Sequence, residues 1–286
     1  MLWGITGAGY ASDLTDAEWV LLEPLLPGPC STGRKRIHSR RVPVNAMLYV
    51  LQTGCAWRLL PLNFPSWDTV YAQYRKWRLR GVLKHVHDVL RERGRLAAGR
   101  AAQPTTGIID SQSAKTTEAG GPRGFDDAKK VSGRKRHILV DTLGLILKVV
   151  VHPADVQDHE GGKLVLDGIK QTYPKLEKVW ADQGYTGGFL KWAKEQSGLV
   201  VEVVYPWWRQ VQRYTPELVD QLGLQKTFNV LPRRRVVERT FAWLGKCWRL
   251  SKDYEALPEA TEMLVYLAMI RLMLRRLAGD PPHSKS

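Results

Sequence analysis

Two apolar runs that each end in an aspartate constrain the fold of this chain more than any other feature. The run TTGIIDSQSAK, residues 105–115, turns polar immediately after Asp110, and the run LEKVWADQGYTG, residues 176–187, does so at Asp182. Such runs predict short buried strands, each with an acid at its tip. Burying an ionised carboxylate there is costly unless a cation or hydrogen bonds compensate it, so both positions predict a site. The alternative is an ordinary strand-end turn capped by Asp and Ser.

The order of elements around these strands predicts an α/β fold. A hairpin is expected over Arg134–Val151, after a loop at Thr116–Ser132, and hydrophobic periodicity predicts the elements that follow. They are a helix at Asp158–Tyr173, a strand at Leu176–Trp180, a helix at Phe189–Gln196, a strand at Leu199–Tyr205 and a helix at Arg233–Leu250. A meander followed by crossover helices and parallel strands is typical of a ribonuclease H-like domain with a mixed five-stranded sheet and flanking helices. Asp110 and Asp182 then converge, and Glu238, on the later helix, is the predicted third acid.

The residues before this region predict a small helical domain. Helices are expected at Leu14–Leu26, from Pro43 to a stop at Gly54, at Ser66–Leu79 and at Leu83–Leu96, with a flexible linker at Ala97–Gln103. The second and third helices suggest a helix-turn-helix variant, although the loop between them is long for that motif. We therefore predict a helical DNA-binding domain over residues 1–100 and a catalytic domain with C-terminal helices over 101–286.

A net charge of +15 predicts a polyanionic partner, and nucleic acid is the leading candidate. Three basic groups stand out: a loop before the second helix, the C-terminal half of the third helix, and a stripe on the Glu238 helix interrupted by Ala242. We predict phosphate contacts there, with solvated surface charge as the alternative. The candidate contacts are Arg34, Lys35, Arg36, Arg40, Arg41, Arg75, Lys76, Arg78, Arg234, Arg235, Arg239, Lys246 and Arg249.

The cysteines and the apolar runs bear on the compartment. Cys30, Cys55 and Cys247 form no C-x-x-C pair and cannot all pair internally, which fits a reducing cytoplasm and argues against a zinc site built from cysteines. No apolar run approaches the roughly 18–20 residues of a membrane span. The expectation is a cytoplasmic, nucleoid-associated protein without a membrane partner.

The motifs IIDSQSAKTT, GRKRHILVDTLGLIL, ADQGYTG and VVERTFAWLGKCWRLSKDYE closely resemble those of the DDE transposases of bacterial insertion sequences, specifically the insertion-sequence-five family. The N-terminal runs LTDAEWVLLEPLLP and PSWDTVYAQYRKW resemble its accessory DNA-binding segment. The resemblance extends over roughly residues 14–277. It departs from the family's Tyr-Arg-Glu-Lys signature: Arg234 and Glu238 fit, but Leu231 stands for Tyr and Gly245 for Lys, with Lys246 one residue on.

The resemblance implies a catalytic triad of Asp110, Asp182 and Glu238. Three carboxylates without a Cys or His cluster favour a hard cation, so two Mg²⁺ ions are expected, with Mn²⁺ able to substitute. In this hypothesis Asp110 bridges both ions, and each of the other two acids holds one. Asp141 and Asp158 are interpreted as turn or cap residues.

Two tryptophans and two histidines carry further predictions. Trp207 and Trp208 are adjacent after Pro206, and one of them is predicted to stack on an unpaired base. His137 and His152 are interpreted as packed residues.

The reaction expected from the resemblance is cleavage at the terminal inverted repeats of an insertion sequence, followed by transfer of the 3′-hydroxyl ends to target DNA. Two DNA ends must be joined, so a homodimer in the synaptic complex is expected by analogy. Two alternatives stay open: a catalytically silent DNA-binding repressor, and a nuclease of the same fold that cuts without joining.

Overall fold

A computed structural model describes residues 9–28, 38–204 and 235–279. Its centre is a mixed β-sheet covered on both faces by helices. Each face has its own apolar cluster, and the alternation of side chains along the strands assigns neighbouring residues to opposite clusters. The arrangement is consistent with the predicted ribonuclease H-like fold.

The sheet has six strands among the described residues, one more than the five predicted. They are β1 Thr106–Lys115, β2 Gly124–Asp126, β3 Val131–Asp141, β4 Ile146–Pro153, β5 Lys178–Ala181 and β6 Val200–Val203. β3 lies antiparallel to β1, β2 and β4, whereas β1, β5 and β6 run parallel. The predicted hairpin and both later strands are confirmed, with their ends shifted by a few residues.

The sixth strand, β2, was missed because it lies inside the predicted loop Thr116–Ser132. Its three residues pair with the beginning of β3, where Gly124 lies opposite Gly133 and Asp126 opposite Val131. This three-residue strand contains Gly and Asp, so it has no hydrophobic alternation from which a strand could be predicted. Its pairing depends on β3 beginning at Val131, before the predicted hairpin, and the local sequence does not mark that start.

Asp110 is not at the tip of its strand, and this part of the prediction was wrong. β1 continues for five more residues to Lys115, and every one of them pairs with β3. The polar residues after Asp110 are compatible with a strand because their side chains find partners there: Ser111 donates to Asp158, and Ser113 donates to Asp126.

The N-terminal helices pack against the face of the sheet that carries Ile108. They are α1 Asp16–Leu22, α2 Arg41–Thr53, α3 Trp67–Leu79 and α4 Val82–Ala97. The predicted helix over Leu14–Leu26 is shorter than expected, because Thr15 caps it and a 3₁₀ turn at Glu23–Leu25 contains Pro24. Gly54 ends α2 in the left-handed conformation, as predicted.

The stretch Ala97–Gln103, predicted as a flexible linker, is held against α4. Arg95 donates to the carbonyl of Ala101 over 2.7 Å, and Arg91 donates to that of Ala102 over 3.3 Å. Small residues in this stretch do not signal mobility here, because the bonds that hold it come from long side chains of the preceding helix.

Three helices cover the opposite face of the sheet: α5 Asp158–Leu166, α6 Ile169–Thr172 and α7 Gly188–Ser197. The prediction joined the first two into one helix from Asp158 to Tyr173. They are separate because Gly168 adopts a φ of 64°, which no right-handed helix contains.

Two helices follow the undescribed residues 205–234: α8 Arg235–Gly245 and α9 Pro258–Ala278. The predicted helix Arg233–Leu250 is too long, since α8 ends at Gly245 and the chain turns into a separate 3₁₀ turn at Trp248–Leu250. α9 packs against α1, α2, α4 and β4. Its buried residues belong to one apolar cluster with those of the N-terminal helices, the sheet and α8.

Candidate active site

Asp110 lies on β1, and Asp182 directly follows β5, the parallel strand beside it. The last paired residues of β1 and β5 that precede them are Ile108 and Trp180, which lie directly opposite each other. Two residues further along each chain come Asp110 and Asp182, and neighbouring strands lie about 4.8 Å apart. By the same alternation, Asp110 lies on the sheet face of Ile108, which is the face that α8 covers, whereas Asp182 lies in the turn that follows β5.

Short hydrogen bonds orient both aspartates. The carboxylate Oδ1 of Asp110 accepts the backbone N–H of Ser111 over 2.7 Å. After β5, the Oδ1 of Asp182 accepts the N–H of Gly184 over 2.9 Å, and its carbonyl accepts the N–H of Tyr185 over 3.2 Å. Asp182 therefore closes its own turn, which is a common use of aspartate at a strand end.

Glu238 lies on the first turn of α8, exposed, on the same side of the sheet. Val237 and Leu244 anchor that helix in the cluster that contains Ile108. The hydroxyl of Thr240 donates to the carbonyl of Gly144 over 2.8 Å, which fixes α8 against the β3–β4 turn. Within residues 9–28, 38–204 and 235–279, however, no three acidic, histidine or cysteine side chains are grouped closely enough to hold a metal ion.

The donor chemistry of the three predicted acids nevertheless suits a hard divalent cation. Their ligands are carboxylate oxygens, which Mg²⁺ prefers. Asp110 lies on the face covered by the helix that carries Glu238, and Asp182 follows the strand next to it, so the residues present fit such an ion in type.

A third aspartate, Asp158, lies close to Asp182. Its Oδ2 and the Oδ1 of Asp182 are each 3.2 Å from the point where a side chain on Gly184 would begin, so the two oxygens are no further apart than twice that distance. Asp158 accepts from the hydroxyl of Ser111 over 2.9 Å and pairs with Lys135 over 3.1 Å. Burial alone would raise the pKa of Asp158, but the Ser111 hydrogen bond and the Lys135 charge lower it.

The sequence interpretation of Asp158 as a helix-cap residue missed this proximity. Asp158 is indeed at the start of α5, yet only the packing of α5 on β1 and β3 brings it to Asp182. A clue existed in the run DHEGG, because two consecutive glycines permit close approach of a helix to a sheet. Gly161 shows that approach: a side chain there would meet His137 and His152 at 2.5 Å.

A buried chain of hydrogen bonds runs from the Asp182 turn into the sheet. The Pro153 carbonyl can only accept, so Nδ1 of His152 carries a proton and donates to it over 2.8 Å. With both rings neutral, Nδ1 of His137 donates to Nε2 of His152 over 2.9 Å, and the hydroxyl of Tyr185 donates to Nε2 of His137 over 2.6 Å. The prediction that both histidines are packed residues is confirmed.

The pKa shifts in this chain follow from burial. Burial, and then the neighbouring His152, lower the pKa of His137 to about 3. Burial raises the pKa of Tyr185 well above its ordinary value, and the negative charges of Asp110, Asp158 and Asp182 raise it further.

The predicted DNA contacts fall into several environments. Arg75, Lys76, Arg235, Arg239 and Lys246 are exposed, and Arg78 is half-buried. Arg40 and Arg41, predicted as phosphate contacts, pair with Glu23 and Asp16, because α1 lies beside the start of α2. Outside the described residues lie Arg34, Lys35, Arg36, Arg234, Trp207, Trp208 and Leu231.

Arg249 does not continue the basic stripe of α8. Its side chain is buried, pairs with Glu255 over 2.7 Å and donates to the carbonyl of Cys55 over 3.0 Å. The reason is the end of α8 at Gly245, after which helical spacing no longer relates the residues. Lys246 also follows the helix, and its carbonyl accepts a hydrogen bond from Gln52.

The basic motif GRKRH on β3 is a structural element. Arg134 donates to the carbonyls of Glu255 and Ala256 over 2.7 and 2.8 Å, and Arg136 donates to that of Leu250 over 2.6 Å. These bonds hold the segment between α8 and α9 against the sheet, and both arginines are buried.

Comparisons with known proteins agree with this architecture. Residues 101–273 match the family described as "Transposase DDE domain", and residues 14–87 match a family described as "Putative transposase of IS4/5 family". The chain is also 34% identical over 117 residues to a Burkholderia cepacia protein named "Insertion element IS402 uncharacterized 16.2 kDa protein". That match covers 37% of this chain and 76% of the relative. No helix in the described stretches combines the length and apolar character needed to cross a bilayer.

Proposed function

The chain belongs to the family of DDE transposases of the IS4/5 type, and from that premise we propose that it cleaves the ends of its own insertion sequence and joins them to target DNA. Within that type, its motifs favour the insertion-sequence-five group. The observation that carries the proposal is the register of β1 and β5, in which Ile108 lies opposite Trp180, two residues before Asp110 and Asp182 respectively.

The proposed catalytic residues are Asp110, Asp182 and Glu238. Two Mg²⁺ ions held by these carboxylates would supply charge stabilisation at the scissile phosphate and activation of the attacking oxygen. The protein backbone orients these carboxylates: the N–H of Ser111 donates to Asp110, and the N–H of Gly184 donates to Asp182. Water displaces the 3′ oxygen at the element end, and the released 3′-hydroxyl then attacks a phosphodiester of target DNA in line.

The exposed basic residues are proposed to hold DNA beside this site. Arg75, Lys76 and Arg78 lie on α3, whereas Arg235 and Arg239 lie on the helix of Glu238. The helices before residue 101 would bind the terminal inverted repeats, and a homodimer would bring two ends together. Phosphate contacts release counterions, so we expect a log–log salt slope near −0.9 for each contact on duplex DNA.

The decisive experiment compares Asp110→Asn, Asp182→Asn and Glu238→Gln with the wild type on DNA carrying the element ends, in Mg²⁺ and in Mn²⁺. We expect each substitution to lower the cleavage rate by at least about a hundredfold while end binding changes little, since removal of one electrostatic catalytic group commonly costs that much. Asp127→Asn, at an exposed position, is the matched control and should cleave normally.

The products distinguish the candidate activities when a target plasmid is included. Nicked, excised and joined DNA resolve on one gel, and joined products would support transposition over cleavage alone. Undiminished cleavage by Asp110→Asn would refute the assignment of the triad.

A further inference from the structure

An open cavity of about 410 Å³ lies beside α8, outside the acid site. Its floor comes from the last turns of α4 at Gly94, Ala97 and Ala98, where the absence of large side chains leaves space. The β3–β4 turn and the end of α9 complete the walls. The volume falls within the range of about 300–1,000 Å³ typical of small-molecule sites.

Two arginines and a tryptophan from two different helices meet in this cavity. The guanidinium of Arg239, on α8, lies 4.9 Å from the ring centre of Trp243, and that of Arg276, on α9, lies 4.3 Å from it. Arg239 also donates to the carbonyl of Leu143 over 3.1 Å. The indole of Trp243 therefore makes cation–π contacts with two arginines in one cavity. Each guanidinium has further N–H donors.

The described part of the chain supplies neither arginine with an ion-pair partner. The charge of Asp141 acts on Arg276, but Asp141 already pairs with Arg95 over 2.5 Å and accepts the N–H groups of Leu143 and Leu145. Burial and then the charge of Arg239 lower the pKa of Arg276, so the two cations repel each other. An anion bound between them would relieve that repulsion.

We propose that this cavity binds one unpaired nucleotide of a DNA strand, with its phosphate on Arg239 and Arg276 and its base against the small-residue floor of α4. A stacked base in a duplex cannot reach that floor, whereas an unpaired base exposes an apolar face that fits it. The inference rests on the proposed function, because Arg239 follows Glu238 directly on α8, so a strand bound here passes the acid site.

Binding is measured without divalent metal, so that catalysis plays no part. The probe is a fluorescein-labelled oligothymidylate of about eight nucleotides, compared by anisotropy with an abasic strand of equal length. We expect Arg239→Gln and Arg276→Gln each to weaken oligothymidylate binding about tenfold and to reduce the log–log salt slope by about 0.7, the value for one phosphate on a single strand. The matched control is Arg123→Gln, an exposed arginine near the opposite end of β3.

A second variant tests for the base without touching a charge. Ala97→Leu keeps a good helix former at an exposed position and fills part of the cavity. It should weaken oligothymidylate binding and leave the abasic strand unaffected. Equal wild-type affinity for both strands, or equal losses for Arg123→Gln and the two pocket arginines, would overturn the proposal.

The outcome is separable from that of the proposed function. If pocket binding holds but the wild type neither cleaves nor joins element ends, the transposition proposal fails and the nucleotide site stands. If the pocket variants bind normally while cleavage depends on the acids, only the pocket is refuted.

Discussion

At the scale of single residues, a chain of buried hydrogen bonds beside Asp182 contributes to the stability of the fold. Tyr185 is fully buried, and its hydroxyl donates to His137, whose ring in turn donates to His152. The hydrogen bond from the Tyr185 hydroxyl to His137 therefore connects the Asp182 turn to the interior of the sheet. Removing that proton leaves a buried ring nitrogen without a donor.

Tyr185→Phe should lower the free energy of unfolding by about 1–3 kcal/mol, the usual cost of a buried polar atom left unpaired. Tyr254→Phe is the control, because its hydroxyl contact with Ser251 is exposed and long, at 3.4 Å. Urea unfolding at neutral pH measures both. Equal losses in the two variants would contradict a special role for the His137 bond.

Glu262 provides a prediction for the pH dependence of stability. Burial raises its pKa to about 7 from 4.5, although the N–H of Val151 donates to its Oε1 over 2.9 Å. Its raised pKa favours the folded protein at low pH, and that contribution is lost as the pH rises from 4.5 through 7. The loss is at most about 1.4 kcal/mol per pH unit.

Glu262→Gln keeps an acceptor for Val151 but cannot ionise. The variant should therefore gain stability relative to the wild type between pH 5 and pH 8, measured by urea unfolding at each pH. His137 acts in the opposite direction: its lowered pKa contributes stability above pH 6.5 that is lost as the pH falls toward 3, so the comparison must be made against the wild type at the same pH. A constant difference across the range would count against the raised pKa of Glu262.

Sequence reasoning at this scale predicted that Asp110 and Asp182 follow apolar runs on two neighbouring strands, because an acid after an apolar run is a local signal. It missed the position of Asp158, which depends on how closely α5 approaches the sheet. It also counted Arg249 among exposed residues, since a helical stripe is extrapolated safely only as far as the helix itself extends.

At the scale of elements, glycines determine how closely the helices approach the strands. Gly161 lies inside α5 directly over the His137–His152 pair, whereas Gly188 at the start of α7 has open space around its Cα. Helix periodicity predicted both helices but says nothing about this difference. The break at Gly168 and the short β2 were missed for a related reason: both follow from backbone conformation or pairing that side-chain patterns do not encode.

Gly161→Ala should therefore destabilise the protein by about 1–3 kcal/mol through overpacking, despite the higher helix propensity of alanine. The added carbon would meet both histidine rings at 2.5 Å. Gly188→Ala, the matched control, should be neutral or slightly stabilising. Thermal unfolding followed by circular dichroism distinguishes them, and a neutral Gly161→Ala would show that α5 can move away from the sheet.

At the scale of the whole molecule, one apolar core extends across the predicted boundary near residue 100. One cluster joins Met47 of α2 and Leu90 of α4 to Ile138 of the sheet and Met269 of α9. The buried Arg95–Asp141 pair also crosses that boundary. The separate helical domain over residues 1–100 stays a prediction about DNA binding, but its helices share their core with the rest of the chain.

We therefore expect one cooperative unfolding transition for the full chain, and poor folding of a fragment that begins at residue 101. Near-ultraviolet and far-ultraviolet circular dichroism in urea should give coincident midpoints. The fragment would leave the apolar surface of α9 that contacts α1, α2 and α4 exposed, and it should bind a hydrophobic dye or aggregate. Two separated transitions would favour independent domains.

The late position of α9 in the chain has a consequence during translation. Helices α1, α2 and α4 leave the ribosome well before the helix that covers their apolar faces, and at about 5–20 residues per second that interval lasts of the order of ten seconds or more. A nascent chain therefore cannot bury these apolar faces against α9 until α9 itself has been made.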